Sequence, residues 1–112
     1  MSFEAFDVVV VPFPFTDKTT TKRRPALVLS SAEFNQTVSQ AVMAMITSAK
    51  NSAWPLDMEI QDLDIAGLPS SSIVRMKLFT LDTRLVLRKA GHLGEKDRQR
   101  ITSILQQLLP LR

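Results

Sequence analysis

One histidine and no cysteine stand among 112 residues, and this limits the chemistry open to the chain. A thiolate nucleophile, a thiolate metal site and a disulfide scaffold are all excluded. His92 alone cannot make a two-histidine metal site, a Glu-x-x-His pair or an HExxH helix. Beside Gly91 at a strand end it reads as structural. Ser30, Ser31 and Ser70 to Ser72 have no partnered histidine, which argues against a triad. Asp62 and Asp64 lie two apart in a turn with no third ligand and read as a solvated turn. Three glycines in total leave no G-x-G-x-x-G loop and no P-loop. What remains is arginine, hydroxyl and carboxylate. Those groups suit the stabilisation of an anionic transition state, as in phosphoryl transfer.

The cations that could do this are clustered. Residues 16–24 carry Lys18, Lys22, Arg23 and Arg24 against Asp17, a net of +3. Residues 75–100 carry Arg75, Lys77, Arg84, Arg88, Lys89, Lys96, Arg98 and Arg100 against Asp82, Glu95 and Asp97, a net of +5. Between them Asp57, Glu59, Asp62 and Asp64 make an acidic patch. Separate basic stretches permit a polyanion-binding face whose association is helped by electrostatic steering. A charge run by itself is a solvated surface. The whole chain carries a formal +3 and has an ordinary globular balance, 45% hydrophobic and 22% charged. Its length fits one domain. The N-terminus lacks a basic leader, and Val8 to Val11 is too short for a signal core or a membrane span. The expectation is a soluble, cytoplasmic protein.

The elements that must position these groups are short. Phe6 to Val11 is β-branched and apolar, a strand buried on both faces, with Pro12 and Pro14 expected to end its pairing. Thr16 to Arg23 is a polar loop, and Pro25 to Ser30 is a second strand. Ser31 to Thr37 is a turn or short helical piece. Ser39 to Thr47 is a central strand, although its alanines and methionines also suit a helix. Ser48 to Trp54 is a loop. Leu56 to Ile60 alternates apolar and polar, the pattern of an antiparallel strand with one wet face. Asp62 to Pro69 reads as a turn, Ser71 to Met76 as a strand, Leu78 to Thr83 as a bend, and Leu85 to Leu93 as a last strand broken near Gly91. Gly94 caps a helix from Glu95 whose stripe is Ile101, Ile104, Leu105 and Leu108, and Pro110 stops it. The sum is mostly β: a small antiparallel β-barrel with a C-terminal helix, one domain over residues 1–112.

Three segments taken together are more specific. They are Asp7-Val-Val-Val-Val-Pro-Phe-Pro-Phe with a threonine-rich loop and Lys22-Arg23-Arg24-Pro25-Ala-Leu-Val-Leu-Ser30; then Ala41-Val-Met-Ala-Met-Ile-Thr47; then Gly67-Leu-Pro, Ser71-Ser-Ile-Val-Arg75, Lys77-Leu-Phe-Thr-Leu-Asp82 and Gly91-His-Leu. In that order the chain resembles the MazF/PemK (Kid) toxin family of bacterial type II toxin–antitoxin modules, from Phe6 to Leu108. The resemblance implies an SH3-like β-barrel with a C-terminal helix, of the CcdB/Kid/PemK type, working as a homodimer. It implies a metal-independent, cofactor-free endoribonuclease that cuts single-stranded mRNA at short motifs and so inhibits translation and growth. The catalytic residues would be Arg24, before the proline of the second strand, and Thr47, at the close of the third. Thr21, Lys22, Arg23, Ser48, Arg75 and Lys77 are the expected RNA contacts. The partner would be an acidic antitoxin with a disordered tail, with DNA reached only through that complex and no membrane involved.

The residues themselves agree in part. Cleavage through the neighbouring 2′-hydroxyl leaves a 2′,3′-cyclic phosphate and a 5′-hydroxyl. A guanidinium can fork onto two phosphate oxygens and keeps its charge, so Arg24 suits the phosphorane. The same high pKa makes arginine a poor general base. A threonine hydroxyl can donate to a phosphoryl oxygen. Trp54 and Phe79 are candidates to stack on a base, and Phe13 and Phe15 to line the groove or the dimer seam. Many relatives carry glycine before the Arg-Arg-Pro element where this chain has Thr19-Thr-Thr-Lys22, so no RNA motif is carried over. Two other readings remain: a non-enzymatic, gyrase-poisoning toxin of the same barrel type acting through Leu108 to Arg112, and an inactive barrel that binds RNA or antitoxin and represses its operon.

Overall fold

A computed structural model describes residues 2–13, 22–51 and 53–110. Thr21, Pro14, Phe15 and the threonine-rich loop lie outside the described residues. The elements run β1 (Asp7–Phe13), β2 (Lys22–Val28), α1 (Ala32–Val38), β3 (Gln40–Ser48), β4 (Met58–Glu59), α2 (Leu63–Ala66), β5 (Ser72–Asp82), β6 (Arg88–His92) and α3 (Glu95–Leu108). The strands form one sheet in the order β4-β5-β3-β2-β1-β6, with every pairing antiparallel. The sheet curls into a half-barrel closed by α3.

Both faces of the sheet are covered, and the strand alternation sorts the core in two. One face carries Val8, Leu27, Ala44, Ile46 and Val74, packed against Leu93 and Ile101. The other carries Val9, Val11, Ala26, Val28, Ala41 and Met43, packed against Phe3 and Leu81. These are called the helix face and the outer face below. Two-sided burial explains the run of four valines in β1: each fully buried aliphatic side chain contributes about 1.5–3 kcal/mol.

Helix α3 follows its stripe, with Ile101 buried and Ile104 and Leu105 against the helix-face core. Gly94 stands at its N-cap with no side-chain cap. Asp97, 1% exposed, takes over the role of a clip. It accepts the N–H groups of Gln61 (3.1 Å) and Asp62 (3.0 Å) and a guanidinium N–H of Arg100 (3.1 Å).

Several boundaries differ from the sequence reading. Pairing does not end at Pro12, which faces Arg23, and β1 continues to Phe13. The alternation at Leu56 to Ile60 yields only Met58–Glu59 as strand. Leu56 sits in a turn with φ 66°, which no strand residue adopts. The expected bend at Leu78 to Thr83 is instead mostly the second half of one long strand, β5, through Asp82. Its irregularity lies earlier: Ala44 faces Leu78 but Met45 faces Arg75, so Met76 and Lys77 are extra. The turn at Asp62 to Pro69 holds a helical turn, α2, capped by the Asp62 carboxylate. The last strand begins only at Arg88, after a 3₁₀ turn at Thr83–Leu85.

Candidate functional site

The β2–β3 ladder pairs Val28 with Met43, Leu27 with Ala44 and Ala26 with Met45, and there it stops. The next residue of β2 is Pro25, which has no N–H to donate. Beyond this point β2 pairs with β1, as Arg24 with Val11, and β3 pairs with β5, as Thr47 with Ile73. Arg24 and Thr47 each lie two residues past Ala26 and Met45. Both carry outer-face parity, and they stand two residues beyond the last β2–β3 pair, on strands whose ladder to one another has ended.

Arg24 is partly buried, and its Nε is buried with no hydrogen-bond partner. No carboxylate pairs with it among the described residues. A buried donor left unmade is costly, so this is a position where structure alone is poorly served. Thr47 Oγ1 accepts a short hydrogen bond from Asn51 Nδ2, and the turn is closed by Asn51 N–H donating to the Ser48 carbonyl at 3.1 Å.

Two further cations share the outer face. Arg75 stands across from Met45 on β5, next to the Thr47 pair. Its guanidinium donates to both oxygens of Asp57, at 3.2 and 2.9 Å, and the two side chains are only 15% and 12% exposed. Burial works to raise the Asp57 pKa. The hydrogen bonds from Arg75 and from the Trp54 N–H, with the Arg75 charge, outweigh it and hold the carboxyl below its usual value. The Asp57 hydrogen bond raises the Arg75 pKa in turn. Lys77, placed by the two-residue irregularity, and Arg75 both lie 5.7 Å from the centroid of the Trp54 ring. Trp54 remains 43% exposed.

The turn beneath them is well specified. Asp57 N–H donates to the Trp54 carbonyl at 3.1 Å, and the Asp57 carboxylate accepts the Trp54 N–H at 2.8 Å. Pro55 fits the second position of a type II turn, and Leu56 carries the positive φ at the third, where glycine is the usual choice.

Of the residues singled out from sequence, Lys22, Arg24, Thr47, Arg75 and Lys77 fall on one sheet face. Arg23 and Ser48 are the alternate residues of their strands and fall on the opposite face; Ser48 Oγ accepts the Lys50 N–H at 3.2 Å. Thr21 lies outside the described residues. Phe13 ends β1 opposite Lys22, and Phe79 packs against the outer-face core. His92 is bound locally, its Nδ1 3.0 Å from the Leu93 carbonyl and 3.4 Å from the Arg98 guanidinium. Asn51 and Asp57 were not singled out from sequence. Asp57 had one signal, the Pro55-Leu56-Asp57 turn sequence; Asn51 had none beyond its spacing of four from Thr47.

The PemK-like, MazF-like toxin family of type II toxin–antitoxin systems matches residues 4–109. Among solved structures, the MazE–MazF complex (Form-III) of Deinococcus radiodurans superposes with a TM-score of 0.78 at 22% identity, covering 100% of both chains. An endoribonuclease in complex with its cognate antitoxin from a mycobacterial species gives 0.76 at 14% identity, over 99% of this chain and 96% of that one. The toxin MazF-mt6 of Mycobacterium tuberculosis gives 0.73 at 17% identity, over 95% and 98%. Comparison with curated proteins finds no match. At these identities the superpositions show the fold, and the match over residues 4–109 shows the kinship. The chain belongs to the PemK-like, MazF-like toxin family.

Proposed function

We propose that the chain is the toxin of a toxin–antitoxin pair and a metal-independent endoribonuclease acting on single-stranded RNA. The observation that carries this reading is Arg24. It is a guanidinium with a buried, unpartnered Nε, uncompensated by any described carboxylate, in register with a threonine hydroxyl on a basic face. A phosphodiester seated between them supplies the acceptor that Arg24 lacks.

In the reaction, the 2′-oxygen of one nucleotide attacks the adjacent phosphorus and loses its proton to a base. The bond from phosphorus to the 5′-oxygen breaks, and that oxygen takes up a proton. The products are a 2′,3′-cyclic phosphate and a 5′-hydroxyl. Arg24 spans two non-bridging oxygens as negative charge builds there, and the Thr47 hydroxyl donates to the same phosphoryl group. Asn51 holds Thr47 Oγ1 in place by donating to it, which leaves the hydroxyl proton free for the substrate. Lys22, Arg75 and Lys77 attract the flanking phosphates, and Trp54 offers an exposed ring to a neighbouring base. Asp57 is a positioning residue that fixes the Arg75 fork. The reading includes a homodimer, an acidic antitoxin with a disordered tail, and action in the cytoplasm.

The test is to incubate the purified protein with a long RNA in EDTA and map 5′-hydroxyl ends. Discrete ends are expected, and a folded Arg24→Ala variant should produce none. Intact RNA with the parent protein would remove the activity, and undiminished cleavage by the variant would remove Arg24 from the mechanism.

A further inference from the structure

Trp54 is the sole tryptophan of the chain, and its backbone is held from both sides. Its N–H donates to the Asp57 carboxylate at 2.8 Å, and its carbonyl accepts the Asp57 N–H at 3.1 Å. The ring lies against two cations of β5, with the Arg75 guanidinium carbon and Lys77 Nζ each 5.7 Å from its centroid. The two cations are not equivalent. Arg75 spends Nε and Nη2 on Asp57, and its side chain is only 15% exposed. Lys77 is exposed and has no carboxylate partner among the described residues. It is also one of the two β5 residues that face no residue of β3. The acceptors beside the ring are engaged: the Asp57 carboxylate takes the Trp54 N–H and the Arg75 fork, and the Trp54 carbonyl takes the Asp57 N–H. A ring 43% exposed, with an unpaired ammonium beside it, offers stacking and a donor but no acceptor.

We propose that Trp54 and Lys77 form a base subsite that selects a nucleobase with a carbonyl oxygen on its sugar-distal edge, O4 of uracil or O6 of guanine, over the amino bases cytosine and adenine. The inference rests on the RNA-cleavage reading for the path of the strand. The sheet runs β5-β3-β2, so a backbone held at Arg24 on β2 and Thr47 on β3 sends a base toward β5 with its sugar-distal edge leading. Stacking on Trp54 does not choose among bases, because every base has a π face. The choice falls to the edge. Lysine donates readily to O6 and N7 of guanine, and a carbonyl at the same place on uracil accepts equally. An exocyclic amine there would meet the ammonium donor to donor, since lysine has nothing to accept with. Arg75, clamped by Asp57, lies against the ring and fixes the platform by cation–π attraction. Lys77 thus does more than attract the backbone: attraction to phosphate is the same for every sequence, and edge contact is not.

The test titrates the full chain with uncleavable oligodeoxynucleotides and reads quenching of the Trp54 fluorescence. Saturable quenching is expected. Heptadeoxyuridylate should bind about tenfold tighter than heptadeoxycytidylate, and heptadeoxyinosinate tighter than heptadeoxyadenylate by a similar factor, the size of one hydrogen bond to a charged group. Lys77→Met should bring both ratios to within about twofold of unity while quenching persists, because lost phosphate attraction weakens every sequence alike. Trp54→Leu, followed by anisotropy of end-labelled strands, should weaken all four by about tenfold, the worth of one stacked base. Equal affinity within either pair, ratios that survive Lys77→Met, unchanged binding by Trp54→Leu, or saturable binding without quenching would each overturn the proposal. These strands carry no 2′-hydroxyl, so the two failures are distinct: RNA left whole in EDTA strikes the cleavage reading, and equal ratios strike the base selection.

Discussion

Replacing Arg24 by methionine is expected to raise stability while abolishing cleavage. A buried donor without an acceptor costs about 1–3 kcal/mol. In Arg24 only Nε is in that condition, and the residue is otherwise partly exposed. The lower end applies, a gain of about 1 kcal/mol. Methionine keeps an unbranched stem of similar reach, so the packing of the arginine methylenes is largely retained. For a chain of 112 residues this corresponds to a rise in Tm of about 4 °C. Urea melts at fixed salt give the shift in midpoint, with the slope unchanged if the folded state is otherwise the same. Sulfate, standing in for the scissile phosphate, should raise the midpoint of the parent more than that of the variant, because the anion binds the folded parent at Arg24. A variant that is destabilised by about 1 kcal/mol or more would show that the guanidinium has a structural partner. Unchanged cleavage would show that the orphaned Nε has nothing to do with the substrate.

The remaining predictions concern the hydroxyl, the helix clip and the acid limb. Thr47→Val should lower kcat by about 10²–10³ with little change in KM; an unchanged kcat would remove the hydroxyl from the reaction. Asp97→Ala should cost about 2 kcal/mol in urea melts, because it leaves the part-buried Gln61 and Asp62 N–H groups without their acceptor and leaves Arg100 only the Glu59 carbonyl; a loss below about 1 kcal/mol would mean that water replaces the carboxylate. The side-chain hydrogen bond from Arg84, then the Arg84 backbone N–H, lower the Asp82 pKa from 3.8 to about 2, and Asp57 is lowered in the same direction. Each contribution is therefore full above pH 3.8 and is lost as pH falls through the lowered folded-state value, about 2 for Asp82, the sign for a depressed carboxylate. Carboxyl carbon NMR should place both midpoints below 3.8, and a midpoint at or above that value would refute the pairing.

The sheet and the terminal helix were legible because burial wrote them directly, as in the valine run of β1, the buried Ala26-Leu27-Val28 of β2 and the apolar stripe of α3; the boundaries of β2 were not, since it runs Lys22–Val28 and takes in Lys22 and Arg23, which read as loop, while Pro25 lies inside it and not at its start. Leu56 to Ile60 misled because alternation records which side chains face water, not whether the backbone is paired; Met58 and Ile60 are buried, yet the strand is only Met58–Glu59 and Leu56 lies in a turn. The long β5 was hidden because Met76 and Lys77 interrupt its pairing where a sequence shows only a mixed stretch. At the site, residue identity pointed to Arg24 and Thr47 through the family pattern, while the end of the β2–β3 ladder two residues short of both needed the register. Arg23 shows the limit most clearly. Beside Arg24 in sequence it looks like part of the same contact, yet strand alternation sends it to the other face. The Asp57 clamp on Arg75 joins positions 18 apart across a turn, and no local pattern announces such a pair.

The surplus in β5 comes as two residues, not one. Side-chain parity therefore survives it: Val74 before and Leu81 after remain on the faces their partners require, and only Met76 and Lys77 are displaced. The strand can thus change length in pairs while keeping its inside and outside. A single-residue insertion or deletion would turn one half of it over and bring lysine and arginine into the core. Homologous chains should therefore differ here by an even number of residues or by none, which makes this stretch a place where the binding surface can be lengthened or trimmed without rebuilding the frame that carries it.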